Sequence, residues 1–433
     1  MVGPRFLAVA LAAAVVVALA GPAGARERAT DPFAAAAARY DVPRDVLLSL
    51  GWMLSRLDQR AVGRAGECGV MQLSADIRRE AAALTGRSTA ELCATAADNV
   101  AGAAGVLRAH ADRAGLRAAD RADVNLWYES VARFAGKVDA SIARLYADTV
   151  FDQLAAGLDT VPARAVAPVR GRLADVPGWG SAGPRSPDHE PATWSPAHDD
   201  NFRDADREKS HPIDFVVIHV TQGSYAGTLA WFKNPASEVS AHYTFRSSDG
   251  AVTQSVREKD IGWHAGNRDY NARSIGIEHE GFIDNPAWFT DRMYRASAAL
   301  TRTLTEKYGI PRTRANIVAH REVPGADHTD PGKHWNWTYY LQLVKGATGI
   351  GKGTVKAPTG TLTVRKGAGS DRAKVGTLPD GAKVTIWCQA TGTAESGPVG
   401  RTKVWNRIGQ DRWISNAYVN TGHPGFIAGV PKC

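Results

Sequence analysis

The side chains best suited to chemistry are concentrated in one stretch, from residue 320 to residue 332. It holds two histidines, His320 and His328, followed by a carboxylate, Asp330. Imidazole and carboxylate groups are ligands that zinc accepts, and zinc with three protein ligands and an open position can promote amide hydrolysis near neutral pH. Ten of the twelve histidines fall between residues 189 and 334, so a metal centre is expected in this part of the chain.

Two predicted strands would deliver further ligands to this stretch. The apolar run 213–220 is typical of a strand buried on both faces, and His219 sits near its end. A second apolar run, 317–319, leads directly into His320. If both strands share a sheet, the two histidines come together. Spacing alone leaves three candidates for a third ligand: His328, Asp330 and His334.

A third strand is predicted at 274–280. Alternation places Gly276, Glu278 and Glu280 on one face and Ile275, Ile277 and His279 on the other. Around these strands, the pattern predicts a helix at 224–233, a hairpin across 240–256 and a helix from Thr290 to Gly309. We assign these elements to one domain, residues 201–345.

Five ordered motifs in this domain match one known pattern. They are Val217–His219, Ser240–Tyr243, Trp263–Asn267, Ser274–Glu278 and His320–Gly332. Together they resemble the type 2 N-acetylmuramoyl-L-alanine amidases, the superfamily of zinc amidases and peptidoglycan recognition proteins. The resemblance implies an α/β domain with a mixed sheet flanked by helices. It also implies cleavage of the amide bond between N-acetylmuramic acid and L-alanine.

The resemblance also implies roles for particular residues. It places one zinc ion per chain on His219, His320 and Asp330, and the catalytic glutamate on Glu278. Many members carry a lysine two residues before the carboxylate ligand, and here His328 takes that position as the expected donor to the oxyanion. The residues expected to contact substrate are His264, Asn267 and Tyr243, with a structural role in the loop equally open for His264.

An alternative function is non-catalytic binding of peptidoglycan, as in recognition members of the same superfamily. Those proteins typically lack one zinc ligand. This chain keeps two histidines, an aspartate and the glutamate at the matching positions, which favours the enzyme.

Residues 26–165 are rich in Ala, Leu and Arg, which predicts helices. The pieces Tyr40–Pro43, Gly69–Leu73 and Asp98–Gly102 resemble lysozyme-like lytic transglycosylases. That family carries its catalytic acid in a Glu-Ser pair, and this chain has Leu54-Ser55 there. Because leucine cannot protonate a leaving oxygen, this domain is expected to be non-catalytic. Glycan binding and a plain scaffold are equally open for it.

Residues 361–433 contain short apolar strands separated by turns, which predicts a small all-β barrel. The segments Val364–Gly367, Val375–Leu378 and Ser415–Val419 resemble bacterial Src-homology-3-like (SH3-like) wall-binding domains. The resemblance implies that this domain holds the protein on the cell wall. A stabilising domain without a ligand is the alternative.

The remaining segments are assigned from composition. Residues 1–25 have a charged start, an apolar run and an Ala-x-Ala site, which indicate a signal peptide. Residues 166–200 and 346–360 are rich in Pro or Gly and are predicted to be linkers. The expected product is a secreted, cell-wall-associated monomer with no membrane span after signal cleavage.

Charge and cysteine content agree with an extracellular setting. The formal net charge is +8, which favours anionic surroundings such as cell-wall polymers, with peptidoglycan as the expected partner. There is no nucleic-acid-binding motif, and no nucleic-acid partner is expected. Four cysteines in a secreted chain suggest two disulfides, and proximity favours Cys68–Cys93 and Cys388–Cys433.

Overall fold

A computed structural model of the chain describes residues 31–158, 163–166, 185–347 and 349–433. The predicted signal peptide, residues 1–25, lies outside the described residues, as does most of the linker predicted at 166–200. Within the described part of the chain, no helix is both long and apolar enough to cross a membrane.

The first region is helical, as its composition predicts. Its helices are α1 (Pro32–Tyr40), α2 (Arg44–Ser55), α3 (Ala75–Thr85), α4 (Glu91–Ala94), α5 (Ala96–Arg113), α6 (Tyr128–Phe134) and α7 (Ala140–Ala156). Helix α1 begins with Pro32 after Asp31, whose side chain accepts a hydrogen bond from the backbone N–H of Phe33. Helix α2 is buried along most of its length and contributes many side chains to this core.

The second region is an α/β domain, which confirms the predicted mixed sheet flanked by helices. Its strands are β1 (Thr193–Trp194), β2 (Phe202–Arg203), β3 (Phe215–Val220), β4 (Tyr243–Phe245), β5 (Val252–Gln254), β6 (Ile261–Gly262), β7 (Ser274–His279) and β8 (Ile317–Ala319). Its helices are α8 (Arg207–Ser210), α9 (Tyr225–Lys233), α10 (Arg268–Arg273), α11 (Asp291–Tyr308) and α12 (Trp337–Val344).

Six of these strands form one sheet in the order β1-β5-β4-β7-β3-β8, and β2 pairs with β6. Strand β3 is parallel to both β7 and β8, whereas β4 and β5 are antiparallel to each other. Side chains from α11 and α12 join one face of the sheet in a single apolar core. The opposite face carries the polar residues described in the next subsection.

The helical region and the α/β domain share a core. Tyr225, Ala226 and Leu229 of α9 pack among the buried side chains of the helical region. The guanidinium carbon of Arg56 lies 3.9 Å from the centre of the Trp288 ring, a second contact across the same junction. The two regions therefore meet through buried side chains.

The third region is all-β, as predicted, while its SH3-like identity stays a prediction. Its strands are β9 (Gly351–Val355), β10 (Thr361–Arg365), β11 (Lys374–Pro379), β12 (Lys383–Ile386), β13 (Cys388–Gly397), β14 (Gly400–Gly409), β15 (Arg412–Ser415) and β16 (Val419–Asn420). They form a five-stranded sheet, β11-β10-β15-β14-β13, and a three-stranded sheet, β12-β9-β16. The structure contains both disulfides favoured by proximity, Cys68–Cys93 and Cys388–Cys433.

Both predicted linkers contain structured segments. Within 166–200, strand β1 extends the sheet by pairing in parallel with β5. Within 346–360, strand β9 is the middle strand of the three-stranded sheet. Gly353 lies on β9, and a Cβ there would lie 2.4 Å from Val419 Cγ1. This glycine therefore allows close packing between strands.

Candidate metal centre

The sheet topology brings three polar side chains to one edge. His219 lies near the end of β3, directly opposite Glu278 on the parallel strand β7. Strand β8 pairs with β3 on its other side and is followed at once by His320. Because parallel strands end at the same edge of a sheet, these side chains converge although they are far apart in sequence.

Asp330 completes a buried group with the two histidines. One oxygen, Oδ1, lies 3.1 Å from His320 Nδ1, and the other, Oδ2, lies 3.4 Å from His219 Nδ1. The backbone N–H of Val220 donates to Oδ2 at 3.2 Å, which holds the carboxylate at the end of β3. Candidate ligand atoms of all three residues lie within 4.8 Å of one another.

The orientation of His219 follows from a short chain of hydrogen bonds. The Ser274 hydroxyl donates to the carbonyl of Tyr270, so its oxygen accepts from His264 Nε2 at 3.3 Å. His264 Nδ1 is then an acceptor, and it receives the N–H of His219 Nε2 at 3.1 Å. Nδ1 of His219 is consequently the unprotonated nitrogen, and it faces Asp330.

This chain of bonds requires a neutral His264. Burial, followed by the neighbouring His219, lowers the pKa of His264 well below its ordinary value. Gly276 leaves the space for this ring, because a Cβ there would lie 2.4 Å from His264 Cγ. The ring therefore lies against the sheet, and its hydrogen bond to Nε2 fixes the orientation of His219.

The donor set fits a zinc ion. The backbone N–H of Val220 donates to Oδ2 of Asp330, a contact that favours the charged carboxylate. An unprotonated ring nitrogen of His219 therefore faces a carboxylate oxygen at 3.4 Å, an arrangement that a cation between them stabilises. Two ligands on a tetrahedral zinc ion are ~3.3 Å apart, close to the observed spacing.

His320 offers a similar contact, with its Nδ1 atom 3.1 Å from Asp330 Oδ1. Its Nε2 atom is buried and has no hydrogen-bond partner among the described residues. Buried polar atoms are rarely left unpaired without a reason. His334, the third candidate from spacing, is not in the group that the structure brings together.

Glu278 lies beside this group and is almost fully buried, with 3% of its side chain exposed. Its Oε1 atom is 3.4 Å from Nη2 of Arg64, which belongs to the helical region. Its Oε2 atom has no hydrogen-bond partner in the described part of the chain. Sequence reasoning missed Arg64, because it precedes Glu278 by 214 residues and belongs to none of the amidase motifs.

His328 lies at the rim of the group. Its ring stacks on that of His320 with 4.4 Å between centres, and its side chain is half exposed. Nδ1 of His328 is 3.8 Å from Asp330 Oδ1, too far for a hydrogen bond. The ring is therefore close to the candidate ligands and open to an incoming molecule.

The other two predicted substrate contacts have structural partners. Asn267 caps α10 by accepting from the backbone N–H of Tyr270, and its amide donates to the carbonyl of Pro324 at 3.0 Å. Tyr243 requires a correction. Its side chain is buried in the core shared with α11, and its hydroxyl donates to Glu258 at 2.6 Å. Strand alternation turns Tyr243 away from the candidate metal centre.

The candidate centre opens into a groove of about 900 Å³. Among the residues that line it are Arg64, Trp231, Trp263, Glu278, His320 and His328. Buried polar side chains and aromatic side chains in one lining suit a substrate with both polar and apolar parts.

Comparison with known proteins gives the family. Residues 209–333 match a family model described as N-acetylmuramoyl-L-alanine amidase. N-acetylmuramoyl-L-alanine amidase A of Achromobacter lyticus is 35% identical over 175 residues, covering 36% of this chain and 96% of that protein. The 1,6-anhydro-N-acetylmuramyl-L-alanine amidase AmpD of Haemophilus influenzae is 36% identical over 114 residues, covering 25% of this chain and 59% of that protein.

A crystal structure of a selenomethionine AmpD derivative matches with a TM-score of 0.30 and 26% identity, covering 36% of this chain and 96% of that one. The family assignment rests on the sequences, and chiefly on the identity that extends over nearly all of the Achromobacter protein. The chain belongs to the N-acetylmuramoyl-L-alanine amidase family.

Proposed function

We propose that the protein is a zinc-dependent peptidoglycan hydrolase that cleaves the amide bond between N-acetylmuramic acid and L-alanine. The observation that carries this proposal is the buried group of His219, His320 and Asp330, with Glu278 beside it. His320 and Glu278 also line the open groove. Membership of the amidase family supports the same substrate class.

His219, His320 and Asp330 would hold the zinc ion. When bound, zinc supplies a Lewis acid for the amide carbonyl and makes water a stronger nucleophile near neutral pH. His264 keeps His219 in the tautomer and orientation that this ligand needs.

Glu278 would act first as the general base and then as the general acid. Its Oε2 atom, which has no hydrogen-bond partner in the part of the chain that the structure describes, accepts a proton from the attacking water as the new carbon–oxygen bond forms. The same atom returns that proton to the leaving nitrogen as the carbon–nitrogen bond breaks. The products are a lactyl carboxylic acid on the sugar and a peptide with a free L-alanine amino group.

His328 would donate a hydrogen bond to the oxygen that gains charge. It is half exposed above His320 at the groove, where an N–H can reach a bound carbonyl. A donor aimed at a developing oxyanion contributes a rate factor of ~10²–10³ in hydrolases.

The other regions would hold the enzyme on its substrate. The basic net charge and the all-β region support cell-wall association, and the start of the sequence supports secretion. We infer that the helical region does not cleave glycan, because Leu54 takes the position of the acid in the family it resembles.

The test is digestion of purified peptidoglycan by wild-type protein and by Glu278→Gln, with products identified by mass spectrometry and zinc measured in both proteins. Wild type should release peptides with an L-alanine amino terminus, and Glu278→Gln should release none while keeping about one zinc per chain. No peptide release by zinc-loaded wild type would refute the proposal and favour a peptidoglycan-binding protein. New reducing or anhydro sugar ends would instead assign glycan cleavage to the helical region.

A further inference from the structure

We propose that Arg64 of the helical region is a positioning residue for Glu278, so that the active site of this amidase is built from two regions of the chain. This inference rests on the proposed function, because it assigns Arg64 a task in the proton transfer by Glu278.

The contact itself joins residues from two regions of the chain. Nη2 of Arg64 lies 3.4 Å from Oε1 of Glu278. The Arg64 side chain is 29% exposed, whereas that of Glu278 is 3% exposed. The guanidinium therefore approaches the carboxylate from the groove, and it is also one of the residues that line the groove.

The loop that carries Arg64 is tightly organised. Val62 and Cys68 form an antiparallel bridge, and the backbone N–H of Gly63 donates to the carbonyl of Glu67 at 2.9 Å. The disulfide between Cys68 and Cys93 ties the end of this loop to the helical region. Arg64 is thus presented by a short closed loop with a covalent anchor.

The α/β domain also holds this loop. The backbone N–H of Arg64 donates to the carbonyl of Gln222 at 3.0 Å, and the Gln222 side chain accepts from the backbone N–H of Ile283 at 2.8 Å. Nearby, Ala61 packs with Phe282 and Trp288 in a small buried cluster. The loop that carries Arg64 is therefore held from both sides of the junction.

The chemistry of the pair follows from the two carboxylate oxygens. The last torsion of a glutamate side chain is broad, so an unrestrained carboxylate can rotate and exchange its oxygens. Arg64 engages Oε1, while Oε2 has no hydrogen-bond partner among the described residues. This contact selects Oε2 for proton transfer. Because arginine stays charged at all working pH values, the selection does not depend on pH.

The experiment compares Arg64→Met, Arg64→Lys and the control Arg60→Ala on a soluble muropeptide, in the full-length protein loaded with zinc. Methionine keeps the aliphatic stem and removes the charge. Lysine keeps the charge. Arg60 lies on the same loop but points into solvent, with 92% of its side chain exposed.

We expect Arg64→Met to lower kcat by about 10- to 100-fold with KM within about twofold of wild type, because misplaced catalytic groups cost rates of this order. Arg64→Lys should recover most of the lost kcat, and Arg60→Ala should match wild type. Zinc content should be equal in all four proteins.

A wild-type kcat in Arg64→Met would overturn the inference while leaving the amidase function intact. A raised KM with unchanged kcat would also overturn it, because Arg64 would then bind substrate rather than position Glu278. Inactive wild-type protein would refute the proposed function itself. If Arg64→Met shows no folding transition, Arg64→Gln decides the question in the same assay.

Discussion

His264 Nδ1 lies 3.1 Å from His219 Nε2, so the histidine of one loop sets the tautomer of a candidate metal ligand on a strand. The direction of this bond follows from Ser274, whose single proton is given to the carbonyl of Tyr270. His264 is therefore a support for the ligand rather than a ligand, which agrees with its absence from the convergent group.

A first prediction concerns this support. His264→Ala should weaken zinc binding by about 10- to 100-fold, the usual effect of removing a partner behind a metal-bound histidine. Competition with a chromogenic chelator measures the affinity. His423→Ala, an exposed histidine in the all-β region, is the matched control and should bind zinc like wild type. A zinc affinity of His264→Ala equal to that of wild type would contradict the role derived for His264.

A second prediction concerns metal removal. Zinc should raise the Tm of wild-type protein and a chelator should lower it, because a ligand that binds only the folded state stabilises that state. Asp330→Asn should abolish most of this shift, since it removes the charge that faces both histidines. Differential scanning fluorimetry with and without zinc is sufficient. A full zinc shift in Asp330→Asn would exclude Asp330 as a ligand.

A third prediction concerns His328. His328→Ala should lower kcat by about 100- to 1000-fold, because it removes the proposed donor to the oxyanion. His328→Lys should retain much of the wild-type kcat, since a lysine ammonium also donates. Steady-state kinetics on a soluble muropeptide separate the two variants. If alanine and lysine at this position behave alike, the donor role of His328 is wrong.

A fourth prediction concerns stability at acid pH. Burial, followed by the nearby Arg207, lowers the pKa of His242 well below its ordinary value of about 6.5. In the unfolded chain the ring binds a proton below that value, whereas in the folded protein it stays neutral. The unfolded state therefore binds more protons, and the free energy of unfolding should fall as pH drops below about 6.5.

His242→Gln tests this fourth prediction, because glutamine can accept from the backbone N–H of Gly276 as His242 does and cannot be protonated. Urea unfolding in the presence of a chelator, between pH 7 and pH 5, removes the contribution of metal binding. The loss of stability towards pH 5 should be smaller in His242→Gln than in wild type. An identical loss in both proteins would show that other groups cause the acid sensitivity.

Much of the α/β domain could be predicted from local patterns. Alternation correctly placed Gly276 and Glu278 on the face opposite His279, which packs against Trp335. Capping signals correctly predicted the helix after Thr290, whose side chain accepts from the backbone N–H of Met293, and its end at Gly309. These features depend on residues a few positions apart, so they can be predicted from the sequence alone.

Three predictions differ from the structure because the deciding contacts join residues far apart in the chain. Glycine and proline content suggested linkers at 166–200 and 346–360, but strands β1 and β9 lie within them because neighbouring strands offer backbone partners. Tyr243 was assigned to substrate from its motif, yet its strand turns it into the core beside Glu258. In each case the deciding partner is distant in the chain.

The sequence by itself determined the donor types, the strand ends that carry His219 and His320, and the amidase pattern around Glu278. Only the tertiary structure showed that Arg64 contacts Glu278 and that His264 forms a hydrogen bond with His219. The physical reason is the sequence separation over which each kind of interaction acts. Periodicity and capping act over a few residues, whereas a contact across 214 residues exists only once two separately patterned regions have packed together.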